Sequence, residues 1–100
     1  MPGRPRYGGR EVSRAVGAAV RILRQDAGIS PPLMAHMIGM STSSLSRMET
    51  GDRNITVDQL VAVAAAFGVE PAKLLDPDSL RVNRAQRLRD LADAIEAGSD

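Results

Sequence analysis

The sequence predicts an all-α fold, and three observations carry that prediction. The apolar residues are mainly Ala, Val, Leu, Ile and Met, with Tyr7 and Phe67 as the two aromatics, a mixture that favours helices over sheets. They recur at three- and four-residue steps, the spacing of one helix face. Cap-forming residues precede these stretches and glycines follow them, the punctuation of helix starts and stops. One hundred residues fit a single domain with one core.

Residues 1–10 (MPGRPRYGGR) lack periodicity and read as a flexible basic arm carrying Arg4, Arg6 and Arg10. A helix is expected to begin near Glu11 or Ser13, with Val12, Val16, Ala19, Val20 and Leu23 on one face and Gly28 ending it. Ser30-Pro31 marks the next start, a hydroxyl cap followed by proline at the first helical position, and Gly39 stops that helix after Ile38. Ser41 or Thr42 caps a third helix that runs to Glu49 or Thr50 before Gly51. Its serines and threonine are poor helix formers, so packing through Leu45 and Met48 must hold it. A capping box of Thr56 and Gln59 opens helix 57–67, which ends at Gly68. Glu70-Pro71 opens a short fifth helix through Leu75, Asp76-Pro77-Asp78-Ser79 forms a turn that also supplies a cap, and a last helix runs from about Leu80 to Ala97. Five short helices and a longer terminal one make an orthogonal bundle rather than an up-down bundle. The expected organisation is the arm (1–10), a helical domain (11–76) and a C-terminal helix (79–97).

Composition excludes several functions. With no cysteine, disulfide frameworks and cysteine-ligated metal sites are ruled out. No apolar run approaches the roughly 20 residues that span a bilayer, and the basic start lacks the apolar core of a secretory signal; a cytoplasmic protein without membrane attachment is expected. His36 stands alone without a second metal ligand. The acids Asp58, Asp76, Asp78, Asp90, Asp93 and Glu96 fit caps, turns and a solvated helix face better than acid–base chemistry. Neither a catalytic site nor a cofactor is expected. Charge is unevenly spread: residues 1–28 hold six arginines against Glu11 and Asp26, whereas the rest holds seven bases against ten acids. A basic front and an acidic back suit a nucleic-acid binder, although a solvated surface explains the same numbers.

The second and third helices, joined through Gly39-Met40-Ser41, have the spacing of a helix-turn-helix. Around them the matching residues multiply: Val16-Gly17, Val20-Arg21, Leu23-Arg24, Gly28-Ile29-Ser30, Met34-Ala35 and Ile38-Gly39-Met40-Ser41. Further along come Ser44-Leu45-Ser46, Met48-Glu49, Gly51, Leu60, Ala64, Phe67-Gly68-Val69 and Leu74-Leu75. In this pattern residues 13–76 resemble the lambda-repressor/Cro-like, or xenobiotic-response-element-type, family of transcriptional regulators.

The resemblance implies a sequence-specific regulator, a repressor by preference, that binds double-stranded DNA as a homodimer with its third helix in the major groove. It implies base-facing roles for Thr42, Ser43 and Arg47, since arginine reads guanine with two hydrogen bonds. Ser44 and Ser46 would face phosphates or the groove edge, with Arg53 and Asn54 completing the DNA-binding set. Surface solubility for the serines, and an ion pair for Arg47, are the plainer alternatives. A partly buried ion pair between Arg24 and Glu49 is also implied.

Two departures stand out. Pro31 and Pro32 occupy the start of the second helix, where the family grips phosphate partly through free N–H groups, which leaves Ser30 and the arm as substitutes. Leu33 and Met37 stand where charged residues are usual, either as tolerated surface apolars or as a docking point. In the last helix Ala85, Leu88, Ala92 and Ile95, with Leu91 beside them, form a short seam. Leu88, Leu91, Ala92 and Ile95 are candidate dimer contacts; the alternative is that the seam packs back over Leu33 and Met37. Two other functions stay open: an antitoxin-type module with a protein partner, and a nonspecific DNA-coating protein.

Overall fold

The computed structural model describes residues 10–98, with the side chains of residues 83–85 and 87 outside the described set. The expectations for Arg4, Arg6 and the side chain of Ala85 therefore fall outside the described residues. Five α-helices and one 3₁₀ turn follow in order: α1 (Arg10–Asp26), α2 (Pro31–Met37), α3 (Thr42–Glu49), α4 (Val57–Phe67), the turn Pro71–Leu75, and α5 (Pro77–Ala97). No strand occurs among the described residues.

The stripe on α1 does what its spacing predicts. Val16, Ala19, Val20 and Leu23 are buried, and they form one core with Met34, Ala35 and Ile38 of the second-helix region, Leu45 and Met48 of α3, Val63 and Ala64 of α4, Leu74 and Leu80. α1 is the central element, packed against α3, the 3₁₀ turn and α5, while α2 packs on α3 and α4 on the 3₁₀ turn. Leu45 and Met48 are 0% and 1% exposed. Burying two such side chains yields about 1.5–3 kcal/mol each, enough to hold eight residues of low helix propensity.

α1 and α3 meet at Gly17. A Cβ there would lie 2.2 Å from the Met48 carbonyl oxygen and 2.9 Å from that of Glu49, so only glycine lets the two backbones come this close. At the turn between α2 and α3, Gly39 takes a φ of +71°. The chain then reverses, with the Met40 N–H donating to the Ala35 carbonyl at 2.9 Å and the Gly39 N–H to that of His36 at 3.3 Å, a Schellman-type ending. The capping box of α4 is complete: the Gln59 N–H donates to Thr56 Oγ1, and the Thr56 N–H to Gln59 Oε1, both at 3.1 Å.

Three boundaries differ from the sequence expectation, and one alternative that the sequence left open is not realised. α1 starts at Arg10, so this arginine belongs to the first helical turn rather than to a free arm. The fifth segment is a 3₁₀ turn, because the Lys73 and Asp76 N–H groups bond three residues back, to Glu70 and Lys73. The last helix starts at Pro77: proline at the first helical position sacrifices no bond, and Asp76 Oδ1 accepts from the Ser79 N–H at 3.3 Å as the cap. Finally, α5 does not fold back over α2. Leu80 anchors its first turn at 4% exposure, whereas Leu33 and Met37 remain 51% and 41% exposed, and Leu88, Leu91 and Ile95 are 58–63% exposed.

Candidate nucleic-acid interface

The geometry of α2 settles what its first turn can offer an anion. Pro31 and Pro32 have no N–H. The next two amides are taken, Leu33 N–H by Ser30 Oγ at 3.3 Å and Met34 N–H by the Ser30 carbonyl at 3.0 Å. Ser30 thus caps its helix and keeps only its own O–H to direct outward.

α3 presents a different surface. Ser41, not Thr42, is its cap: Ser41 Oγ accepts from the Ser44 N–H at 3.1 Å and donates to Ser44 Oγ at 2.9 Å. Ser44 is accordingly half-buried and its hydroxyl serves the cap, whereas Thr42, Ser43, Ser46 and Arg47 are exposed. The end of the helix is fastened by its backbone. The Arg47 carbonyl accepts from Thr50 Oγ1 at 3.0 Å and from the Asp52 N–H at 2.8 Å. Thr50 Oγ1 also engages the Asp52 carboxylate at 3.0 Å. Among the described residues the two salt bridges are Arg24–Glu49 and Arg81–Asp78, so the Arg47 guanidinium is not held in one.

The pair between Arg24 and Glu49 clamps α1 to the end of α3. Arg24 Nε donates to Glu49 Oε2 at 2.8 Å and Nη2 to Oε1 at 3.0 Å, a two-pronged contact, while Nη1 donates to the Ile29 carbonyl at 3.2 Å. The side chains are only 13% and 9% exposed. The hydrogen bonds from Glu49 raise the Arg24 pKa above its ordinary value; partial burial opposes the shift and the attraction of the carboxylate adds to it.

Arg53 and Asn54 both make side-chain contacts within the domain. Arg53 is half-buried with Nη1 3.9 Å from Met40 Sδ, which lays it across the helix-turn-helix turn. Asn54 Oδ1 accepts from Ser13 Oγ and ties the loop after α3 to α1. Arg10 borders a shallow polar depression with Ser13, Asp52 and Asn54. A residue absent from the sequence-based set is Arg21. It is exposed on α1 and borders a cleft of about 390 Å³ with Arg24, Pro31, Thr42, Ser46 and Thr50. A signal was present: Arg21 lies three residues before Arg24, on the same helix face, and Arg24 marks the side that meets α3.

The described residues hold no cluster of metal-binding side chains and no helix long and apolar enough to cross a membrane.

A helix-turn-helix family model matches residues 20–74. The HTH-type transcriptional regulator RamB of Mycobacterium tuberculosis is 34% identical over 67 residues, which is 67% of this chain and 14% of RamB. The propionyl-CoA carboxylase regulator of Cereibacter sphaeroides is 32% identical over 66 residues, again 14% of its own length. This chain therefore spans a small part of those relatives. Among solved structures, the clp gene regulator ClgR of Corynebacterium glutamicum superposes with a TM-score of 0.62 at 27% identity, covering 88% of this chain and 94% of ClgR. The restriction-modification controller protein C.AhdI of Aeromonas hydrophila gives 0.56 at 29% identity, covering 62% and 94%.

Proposed function

This chain belongs to the Cro/C1-type helix-turn-helix family of DNA-binding transcription regulators, and from that premise we propose that it is a dimeric repressor that sets α3 in the major groove of its operator. The observation that carries this reading is the exposed face of α3. Thr42, Ser43, Ser46 and Arg47 project from a helix whose other side is locked to α1 at Gly17 and at the Arg24–Glu49 pair. A reading head fixed in this way discriminates sequences, because a base contact is only as selective as its placement is reproducible. Selection of bound DNA from a random library tests the reading. The expected product is a two-fold-symmetric motif with half-sites about one DNA turn, near 34 Å, apart. Recovery of unenriched DNA would leave a nonspecific coating protein instead.

Within this interface Arg47 reads and Arg21 grips. Arg47→Ala should relax the preference at one position of each half-site by about 1–3 kcal/mol and spare the others. Arg21→Ala should weaken binding to all sequences alike and reduce the slope of log affinity against log salt by about 0.9 for each phosphate that is no longer neutralised. Titrations on the selected operator and on a scrambled duplex separate the two effects.

The dimer is assigned to α5, whose outer half carries exposed Leu88, Leu91 and Ile95. Because these residues lie outside the core, Leu88→Asp combined with Ile95→Asp should leave the domain folded while the protein sediments as a monomer and binds a half-site weakly. If the variant stays dimeric, the interface passes to the exposed Val57 and Val61 of α4 and Leu75 of the 3₁₀ turn.

A further inference from the structure

We propose that Arg10 and Arg14 join Arg21 in a basic ridge along α1 that tracks the DNA phosphate backbone beside the reading helix. The inference rests on the DNA-binding reading above and extends its contact surface from α3 to the outer face of α1.

The ridge follows from helix geometry. At 3.6 residues per turn Arg10, Arg14 and Arg21 fall within about 40° of one another, whereas the acids Glu11 and Asp26 lie about 80° and about 140° round from Arg21. All three arginines are exposed, and neither salt bridge among the described residues involves them. At 1.5 Å per residue the row is about 16 Å long. The fold gains nothing from the first two charges. Arg10 and Arg14 stand one turn apart as like charges, and Arg10 occupies the first turn, where the backbone dipole disfavours a cation. A polyanion alongside offsets both penalties.

The ridge is also fixed to the reading head. Gly17 lies on the same side of α1, about 40° from Arg21, and it is where α1 meets the α3 backbone at Met48 and Glu49. To one side of that contact Arg21 borders the cleft with Thr42, Ser46 and Thr50. To the other, Arg14 packs at Gly51, just past the C-cap of α3, where a Cβ would lie 2.6 Å from Arg14 Cγ. Arg10 then borders the depression with Asp52 and Asn54. The nearby acid Asp52 has its carboxylate engaged by Thr50 Oγ1 at 3.0 Å. The three arginines thus skirt the end of α3 as one row, and a phosphate backbone flanking α3 meets a surface of matching charge.

The test is Arg10→Gln combined with Arg14→Gln in the full chain. Glutamine keeps the Cβ and Cγ that pack at Gly51 and removes the charge. Affinity is measured across a salt series on the selected operator and on a scrambled duplex. The slope of log affinity against log salt should fall by about 0.9 for each phosphate released, and so by about 1.8 for the pair. Base preference along the half-site should be kept, and the melting temperature should not fall. Ethylating backbone phosphates beside each half-site should weaken the parent at positions where the double variant is indifferent. An unchanged slope, with the parent's ethylation pattern, would overturn the ridge and leave these arginines to an acidic protein partner. A melting temperature lower by more than about 4 °C would overturn it as well, by showing that the charges serve the fold. If the parent itself binds duplexes without salt dependence, the DNA-binding reading falls together with the ridge. If the parent's motif and slope stand and the double variant matches them, only the ridge falls.

Discussion

Glu49→Ala is expected to lower the melting temperature by about 12 °C or more and to abolish operator binding as a consequence. Breaking a buried pair by removing one partner costs about 3–5 kcal/mol, and in a domain of this size each kcal/mol moves the midpoint by about 4–8 °C. The substitution strands the Arg24 guanidinium at 13% exposure with one remaining acceptor, the Ile29 carbonyl at 3.2 Å. Arg24→Ala should be at least as damaging, because it also leaves that carbonyl unpaired. Exchanging the two residues should not rescue stability, since a carboxylate at position 24 would face the Ile29 oxygen. The raised Arg24 pKa fixes the pH dependence of the arginine side of the pair. Its contribution is full below the ordinary arginine value and is lost only as pH climbs through the raised one, so no loss is expected from this group near neutrality. Thermal melts followed by circular dichroism decide the matter, and a shift of less than about 4 °C for Glu49→Ala would mean that the pair contributes little.

Gly17→Ala is expected to do comparable damage by a different route. In an ordinary helix interior this substitution stabilises by roughly 0.5–1 kcal/mol. Here the new methyl group would meet the Met48 carbonyl oxygen at 2.2 Å and the Glu49 carbonyl carbon at 3.0 Å, both backbone atoms that have no rotamer to change. The remaining outlet is to push α3 away from α1, which also pulls Glu49 from Arg24. Overpacking of this kind costs about 1–3 kcal/mol or more. The variant should unfold at lower urea concentration than the parent and lose sequence preference in the fraction that stays folded. An unchanged or raised urea midpoint would show that the two helices have room between them for a methyl group.

These two positions also mark how far the sequence could be read. The starts of α2, α3 and α4 were legible to within a residue because each cap is a local event: Ser30-Pro31, Ser41-Thr42 and the pair Thr56 and Gln59 announce themselves within four residues. Resemblance implied a pair between Arg24 and Glu49, which the structure brings together at 2.8 Å. What sequence could not show were contacts that depend on where two backbones cross. Gly17 was one matched residue among many until its distance to α3 was known. Asn54, read as a DNA contact, has its carbonyl engaged by Ser13, 41 positions away in the chain. Ser44, placed by the resemblance at a phosphate or the groove edge, has its hydroxyl bonded to Ser41 Oγ at 2.9 Å, a contact that depends on which of Ser41 and Thr42 is the cap. The Asp-Pro-Asp-Ser run reads equally well as a turn or a helix start, and only the bond from the Ser79 N–H to Asp76 resolves it. Whether the α5 stripe turned inward was likewise a question of direction beyond Leu80, which periodicity does not contain.

The paired prolines at the start of α2 have a consequence for the chain before it folds. A seven-residue helix is well below the ~12–15 residues at which isolated helices begin to hold in water, so α2 forms only if few alternatives compete. Pro31 and Pro32 hold φ near −65° in every state of the chain. Ser30, the residue before them, is confined to the extended region by steric clash with the ring; its native ψ of 152° is already there. Where the native backbone accepts it, a proline raises stability by about 0.4–1 kcal/mol through lost conformational entropy of the unfolded chain. The amide donors that α2 gives up are thus returned as a narrower unfolded ensemble, in which the entry to the helix-turn-helix is partly set before any tertiary contact exists.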